Sequence, residues 1–168
     1  PGNRVGCLCI HGFSAAPAEV VWLADHLHEQ AGMTTYTPRL AGHGANYEHM
    51  SRMSWREWYM SARDGYQLLR DTCDVVFIAG LSMGGLLTLM LASAEDVEIA
   101  GAAVMAAPTH FSNPTVARTP YLKYIRHWVN APDKTDLPQI VREEQAERGE
   151  PVVGRTHYDQ WSVQAIAQ

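Results

Sequence analysis

The sequence has no apolar run approaching the roughly 18 residues that a membrane-spanning helix requires, so no span is predicted in it. It also has no cluster of basic residues. Thirteen Lys and Arg are scattered among 18 Asp and Glu, for a net charge of −5. With no basic patch to neutralise phosphates, nucleic acid is not the expected partner. Cysteine is scarce, and Cys7, Cys9 and Cys73 give neither a disulfide framework nor a zinc spacing. Cys7 and Cys9 lie two apart in a predicted strand, so they share a face and read as small buried apolar groups. Such a set fits a reducing compartment, and the expected location is cytoplasmic. Pro1-Gly2-Asn3-Arg4 leads straight into a strand-like run, so no signal peptide is read in the sequence. Internal repeats and low-complexity tracts are absent, and no metal or cofactor is predicted.

What is present is an ordinary globular composition. Of 168 residues, 46% are apolar and 18% charged, which suits one domain with or without a small insertion. Val5 to Ile10 reads as a buried parallel strand. Val20, Leu23, Ala24, Leu27 and Ala31 recur at helical period after Pro17, with Gly32 placed for a left-handed C-terminal cap. Thr34 to Pro38 is a second strand and Gly42-His43-Gly44 a turn. Ser54 and Glu57 form a capping box. The helix that follows carries a buried stripe of Trp55, Trp58, Tyr59, Ala62, Tyr66 and Leu69. Val75 to Ala79, Met83 to Ala94 and Ala100 to Ala106 complete the alternation as strand, helix and strand. The predicted class is α/β, a parallel sheet with helices on both faces, over residues 1–108.

The pattern changes after Pro108. Residues 109–168 carry more charge and Pro114, Pro120, Pro132, Pro138 and Pro151, with no convincing strand. Tyr121 to Val129 and Leu137 to Arg148 predict short amphipathic helices, and Gln160 to Gln168 the start of another. The segment reads as a helical, cap-like insertion over the sheet.

Gly80-Leu81-Ser82-Met83-Gly84 matches G-x-S-x-G between a Val/Phe/Ile strand and a Leu-rich helix. That context gives the short motif its meaning. A serine at the tip of a tight strand-to-helix turn is lifted above the sheet, and small neighbours allow the close backbone approach. The helix N-terminus behind it favours developing negative charge. Ser82 is therefore the candidate nucleophile. An oxyanion needs two donors, and the Met83 N–H is one candidate. Phe13 N–H, in the His11-Gly12-Phe13 loop after the first strand, is the other. His11 precedes the nucleophile in the chain and reads as a residue that shapes this loop.

Three stretches carry a family resemblance: His11-Gly12-Phe13-Ser14, Pro38-Arg39-Leu40-Ala41-Gly42-His43-Gly44 and Gly80-Leu81-Ser82-Met83-Gly84-Gly85. Together they resemble the bacterial monoacylglycerol lipase and carboxylesterase group of the α/β-hydrolase superfamily, well over residues 5–107 and loosely beyond. The resemblance implies an α/β-hydrolase fold whose first strand lies beside the Ser82 strand. It also implies a cap at 109–168 and hydrolysis of short- to medium-chain acyl esters such as monoacylglycerols. Asp159 lies where a cap carboxylate would meet a glycerol hydroxyl.

In that family the acid and the histidine follow two further strands, in the order Ser, Asp, His. The sequence reaches Gln168 inside the cap-like helix, and neither partner is identified. His110, His127 and His157 do not follow an Asp-bearing strand; His26, His28, His43 and His49 read as surface or loop residues; Asp133 and Asp136 read as solvated. Losing the base of such a triad costs on the order of 10⁶ in kcat, leaving about 10³–10⁴ over water. The chain alone is thus expected to be nearly inactive unless another polypeptide supplies the base. The apolar edge from Ile99 to Ala106 predicts self-association or a second chain that pairs there. The alternatives are a catalytically impaired binding or assembly module on a hydrolase scaffold, and a thioesterase.

Overall fold

Alternation of strand and helix becomes one parallel sheet in the computed structural model, which describes residues 2–109, 118–125, 127–130, 146–149, 158 and 160–167. The strands β1 (Val5–Ile10), β2 (Thr34–Tyr36), β3 (Val75–Leu81) and β4 (Gly101–Met105) lie in the order β2-β1-β3-β4. Every neighbouring pair is parallel, with Ile10 opposite Gly80 and Leu81 opposite Met105. The connections are α1 (Ala18–Ala31), α2 (Tyr47–Ser51), α3 (Trp55–Arg70) and α4 (Met83–Ala92).

Side-chain alternation along the strands divides the core in two. Leu8, Ile10, Val76 and Ile78 point to one face and pack with Trp58, Ala62, Tyr66 and Leu69 of α3 and Leu87 and Leu91 of α4. Cys7, Cys9 and Ala79 point to the other, against Val20 and Ala24 of α1. Helices therefore cover both faces. The two cysteines do share a face, buried and free, with their sulfurs 3.9 Å apart.

Local signals act as the residues dictate. Gly32 caps α1 at φ +64°. Ser54 and Glu57 close the capping box that starts α3. The stripe on α3 differs in one respect: Trp55 is 38% exposed, at the first turn, where the Arg56 guanidinium lies 5.3 Å from its ring. The short helix α2, absent from the sequence reading, is started by Asn46, whose side chain accepts the His49 N–H.

The segment after Pro108 is corrected more heavily. Among the described residues of the predicted helix 121–129, only Tyr121 and Leu122 are helical, as the end of α5 (Thr119–Leu122). Trp128–Asn130 is instead a strand, β5, and Gln160–Ser162 is its antiparallel partner β6, followed by a single turn, α6 (Val163–Ile166). Helical periodicity over three or four residues does not distinguish a helix from a strand, and the pairing partner lies far away in sequence. His110, Asp133, Asp136, His157, Asp159 and most of Leu137 to Arg148 lie outside the described residues. Among the described residues the outer edge of β4 is unpaired, and no helix is long and apolar enough to cross a membrane.

One buried phenol ties α3 to the approach of β4. Tyr66, 2% exposed, donates to the Glu98 carbonyl at 2.9 Å and accepts the Glu98 N–H at 2.8 Å. Tyr66→Phe is expected to lower stability by about 1–2 kcal/mol, read as a shift in urea midpoint at constant m-value.

Candidate active site

The turn after β3 is built on missing side chains. A Cβ on Gly80 would lie 2.1 Å from the Gly84 carbonyl oxygen and 2.3 Å from Thr88 Oγ1. A Cβ on Gly84 would lie 2.3 Å from the Ile10 carbonyl oxygen and 2.7 Å from that of His11. The second residue of α4 thus lies against the carboxyl end of β1 with no space for a methyl group. Between these glycines Ser82 takes φ +55° and ψ −117°, a conformation that costs a non-glycine residue of order 1–3 kcal/mol. Its neighbours hold it there. The Ser82 N–H donates to the Met105 carbonyl of β4 at 2.8 Å, and the Ser82 carbonyl accepts from Gly85 N–H at 2.9 Å, starting α4. No hydrogen bond to Ser82 Oγ is made among the described residues, and the side chain is half-buried.

Because β1 and β3 pair through Ile10 and Gly80, the chain leaves both strands at the same level. The loop after β1 therefore abuts the serine: a Cβ on Gly12 would sit 3.3 Å from Ser82 Cβ. Residues 12–15 form a turn closed by Ala15 N–H to the Gly12 carbonyl at 3.4 Å, with Ser14 at φ +59°. The Glu19 carboxylate, from the first turn of α1, accepts the Gly12 N–H at 2.8 Å. Among the described residues neither the Phe13 N–H nor the Met83 N–H is used in a hydrogen bond, so both remain available as donors.

Two histidines shape this loop rather than act as bases. His11 is fully buried; Nδ1–H donates to the Gly12 carbonyl at 2.9 Å and Nε2 accepts the Leu40 N–H at 3.2 Å. Only neutral imidazole can accept at Nε2, and burial lowers its pKa accordingly. His43, read as a surface or loop residue, lies in a turn and is also fully buried. Its Nδ1–H donates to the Ala41 carbonyl at 3.1 Å, and its Nε2 has no partner among the described residues. Burial, with His11 nearby, pushes its pKa down to about 4. Its ring stacks edge-on against His11, Phe13 and Trp58, with centroids 5.2, 6.1 and 5.6 Å away. The repeated glycines of Gly42-His43-Gly44 mark a turn and say nothing of depth. His26, His28 and His49 are exposed, as expected, and so is His127.

Of the residues singled out in the sequence, the structure brings Ser82, Met83 and the Phe13 loop together. Asp159 lies outside the described residues. Sequence reasoning missed Glu19, Tyr158 and Trp161, all of which bond to these loops. Tyr158 OH donates to the Gly42 carbonyl at 3.2 Å and accepts the Ala45 N–H at 3.2 Å. No local pattern marks Tyr158 or Trp161, since their contacts span more than a hundred positions.

The alpha/beta hydrolase family model matches residues 7–166. A thermostable monoacylglycerol lipase from Bacillus sp. (strain H-257) is 46% identical over 88 residues, covering 52% of this chain and 35% of that protein. Among solved structures, that of the metagenome-derived lipolytic enzymes LipS and LipT superposes with a TM-score of 0.82 at 28% identity, over 99% of this chain and 62% of that one. A soluble variant of monoglyceride lipase from Saccharomyces cerevisiae gives a TM-score of 0.67 over 98% of this chain and 58% of its own; at 19% identity it shows the fold alone. The chain thus spans about a third of the curated relative and about three fifths of these structures.

Two outcomes follow from the packing. Gly84→Ala is expected to prevent native folding or to lower the thermal midpoint sharply, because the methyl group meets backbone rather than a movable side chain. Circular dichroism melts of the variant beside the parent protein provide the comparison. The second concerns pH. His43 binds a proton near 6.5 when unfolded but only near pH 4 when folded, so the unfolded state gains protons first. Stability is therefore full above about pH 6.5 and falls as pH drops towards 4, by about 3 kcal/mol from this group. Urea midpoints between pH 7 and 4.5 should show the fall, and His43→Gln should flatten part of it.

Proposed function

The chain belongs to the alpha/beta hydrolase family, and we propose that it forms the nucleophile-bearing part of a serine ester hydrolase. The observation that carries this reading is the strained Ser82, set against Gly12 with two unspent N–H donors beside it. In the proposed reaction Ser82 Oγ attacks the ester carbonyl carbon and its proton passes to a general base. The oxyanion is held by the Phe13 and Met83 N–H groups, where losing one donor costs about 10²–10³ in kcat. Collapse expels the alcohol, which takes the proton back, and water then releases the acid from the Ser82 acyl-enzyme.

No described residue is assigned as the base. His11 has both ring nitrogens engaged and His43 is buried as a neutral ring. We assign the histidine and its acidic partner to polypeptide beyond this stretch, in continuation or on a second chain. The unpaired outer edge of β4 is compatible with further strands added there. For the substrate we propose short- to medium-chain acyl esters, including monoacylglycerols. The support is the 46% identity to a monoacylglycerol lipase over the matched 88 residues. Residues 109–168 serve as the cap over the acyl and alcohol pockets, with Asp159 as a contact to a glycerol hydroxyl. The competing reading is a binding or assembly module that keeps the scaffold without turnover.

The test is labelling of the chain and its Ser82→Ala variant with a fluorophosphonate probe, alongside a p-nitrophenyl ester series and a monoacylglycerol. Each is run with and without a C-terminal segment from a family member added in trans. Labelling and turnover that depend on Ser82, with a loss on the order of 10⁶ in kcat for Ser82→Ala, are expected in the complemented protein. Absence of labelling in both arms would favour the binding module and overturn the esterase assignment.

A further inference from the structure

The loop that carries Phe13 is held from two directions, and one of them is the β5–β6 hairpin. On the core side Phe13 packs edge-on against Trp58 at 5.8 Å and His43 at 6.1 Å. On the other side the ring of Trp161, from β6, lies 5.6 Å from Phe13 at an interplanar angle of 77°. Its indole N–H donates to Ser14 Oγ at 3.0 Å, across 147 residues of sequence. Ser14 is 2% exposed and sits at φ +59°. A serine gains nothing intrinsically from left-handed backbone, so contacts from outside the turn must hold it there. The described hydrogen bonds offer the Ser14 hydroxyl one such partner, and it is Trp161.

The hairpin is itself fixed. Trp128 of β5 stacks on Tyr47 of α2 with centroids 5.0 Å apart, and Val163 N–H donates to the His127 carbonyl at 3.0 Å. Just before β6, Tyr158 grips the Gly42–Ala45 turn through both of its hydroxyl bonds. Trp161 thus links a docked element to the residue that adjoins the candidate oxyanion donor.

We infer that Trp161 is a positioning residue for the oxyanion hole: through Ser14 and the Phe13 ring it sets the direction of the Phe13 N–H, so hole geometry depends on docking of the β5–β6 hairpin. The inference rests on the ester-hydrolase reading for its catalytic consequence but not for its structural one.

The test uses the protein in the form that turns over p-nitrophenyl butyrate. Trp161→Phe keeps a ring against Phe13 and removes the indole N–H; Ser14→Ala removes the acceptor. Each is expected to lower kcat about 10- to 100-fold with KM within about twofold, because the contact acts on transition-state charge rather than on binding. The double variant should lose no more than either single one, since both remove the same bond. Unchanged kcat, a loss confined to KM, or additive losses would overturn the inference. A second readout needs no turnover. Amide exchange in peptides covering residues 11–16 should quicken at least about tenfold in Trp161→Phe, at a denaturant concentration where global stability is matched. Unchanged exchange would overturn the inference even if the parent protein hydrolyses no ester, while an inactive parent with faster exchange in the variant would retain the positioning role and place the failure on the ester-hydrolase reading.

Discussion

Everything at this site depends on how closely α4 approaches the carboxyl end of β1. The Gly84 position faces the Ile10 and His11 carbonyls with no room for a side chain, and Gly80 faces Gly84 and Thr88 in the same way. That contact brings the turn at Ser82 alongside the loop at Gly12. In-register pairing of Ile10 with Gly80 does the rest, since two adjacent parallel strands that end at one level must deliver their loops side by side. The candidate nucleophile from one loop and the candidate backbone donor from the other are thereby brought together by backbone packing. Loops at the carboxyl ends of parallel strands are where open α/β sheets generally place their ligands.

The loops themselves are fixed by groups that have to be uncharged. His11 accepts a backbone N–H, which an imidazolium cannot do, and it lies one ring away from His43. Ala41 is the hub on the opposite side, its carbonyl accepting from both Trp58 Nε1 and His43 Nδ1. Protonating either ring would place a cation in an apolar cluster, and at His11 it would also break the bond that Nε2 accepts from Leu40 N–H. His11 and His43 thus hold the loops, and the base proposed for Ser82 is a different group. Their burial is a packing fact with a chemical consequence, since it disfavours the charged form of both rings.

Much of the sheet was legible in the residues because each element carries its own start, stop and period. Gly32, the Ser54–Glu57 box and the Trp58–Ala62–Tyr66–Leu69 spacing all act locally, and a reader of the sequence sees what the chain senses. The G-x-S-x-G turn was legible because its place between a strand and a helix is a local pattern, although the contact that Gly84 permits is with the distant Ile10 and His11 carbonyls. Trp55 was misplaced because the stripe was followed one turn too far towards the helix start, where the surface opens. His43 lies in the turn that was read for it, and its burial was not legible because a Gly-His-Gly turn describes backbone shape and not depth. The β5–β6 pair was misread since three-residue strands have no period of their own, and only pairing between positions 128–130 and 160–162 defines them. Contacts such as Trp161 with Ser14 are invisible for the same reason.

The backbone strain has a pattern that composition does not reveal. The non-glycine residues described with positive φ are Ser14, Ser82 and Ala106. Each follows one of the strands β1, β3 and β4, and so each lies at the carboxyl end of the sheet. Left-handed backbone at a residue with a Cβ persists only where surrounding contacts over-determine it. Here those contacts come from the sheet itself: Ser82 is bonded to β4 through Met105, and Gly85 of the same turn packs against Ala107. Ser14 differs, because its turn projects beyond β1 and the side-chain bond that meets it comes from β6. The elbow is therefore held by contacts from the sheet, whereas the loop of Phe13 is completed by a bond from a distant strand. On the proposed reading, the candidate nucleophile is fixed by the core and the candidate oxyanion donor depends on what packs above it.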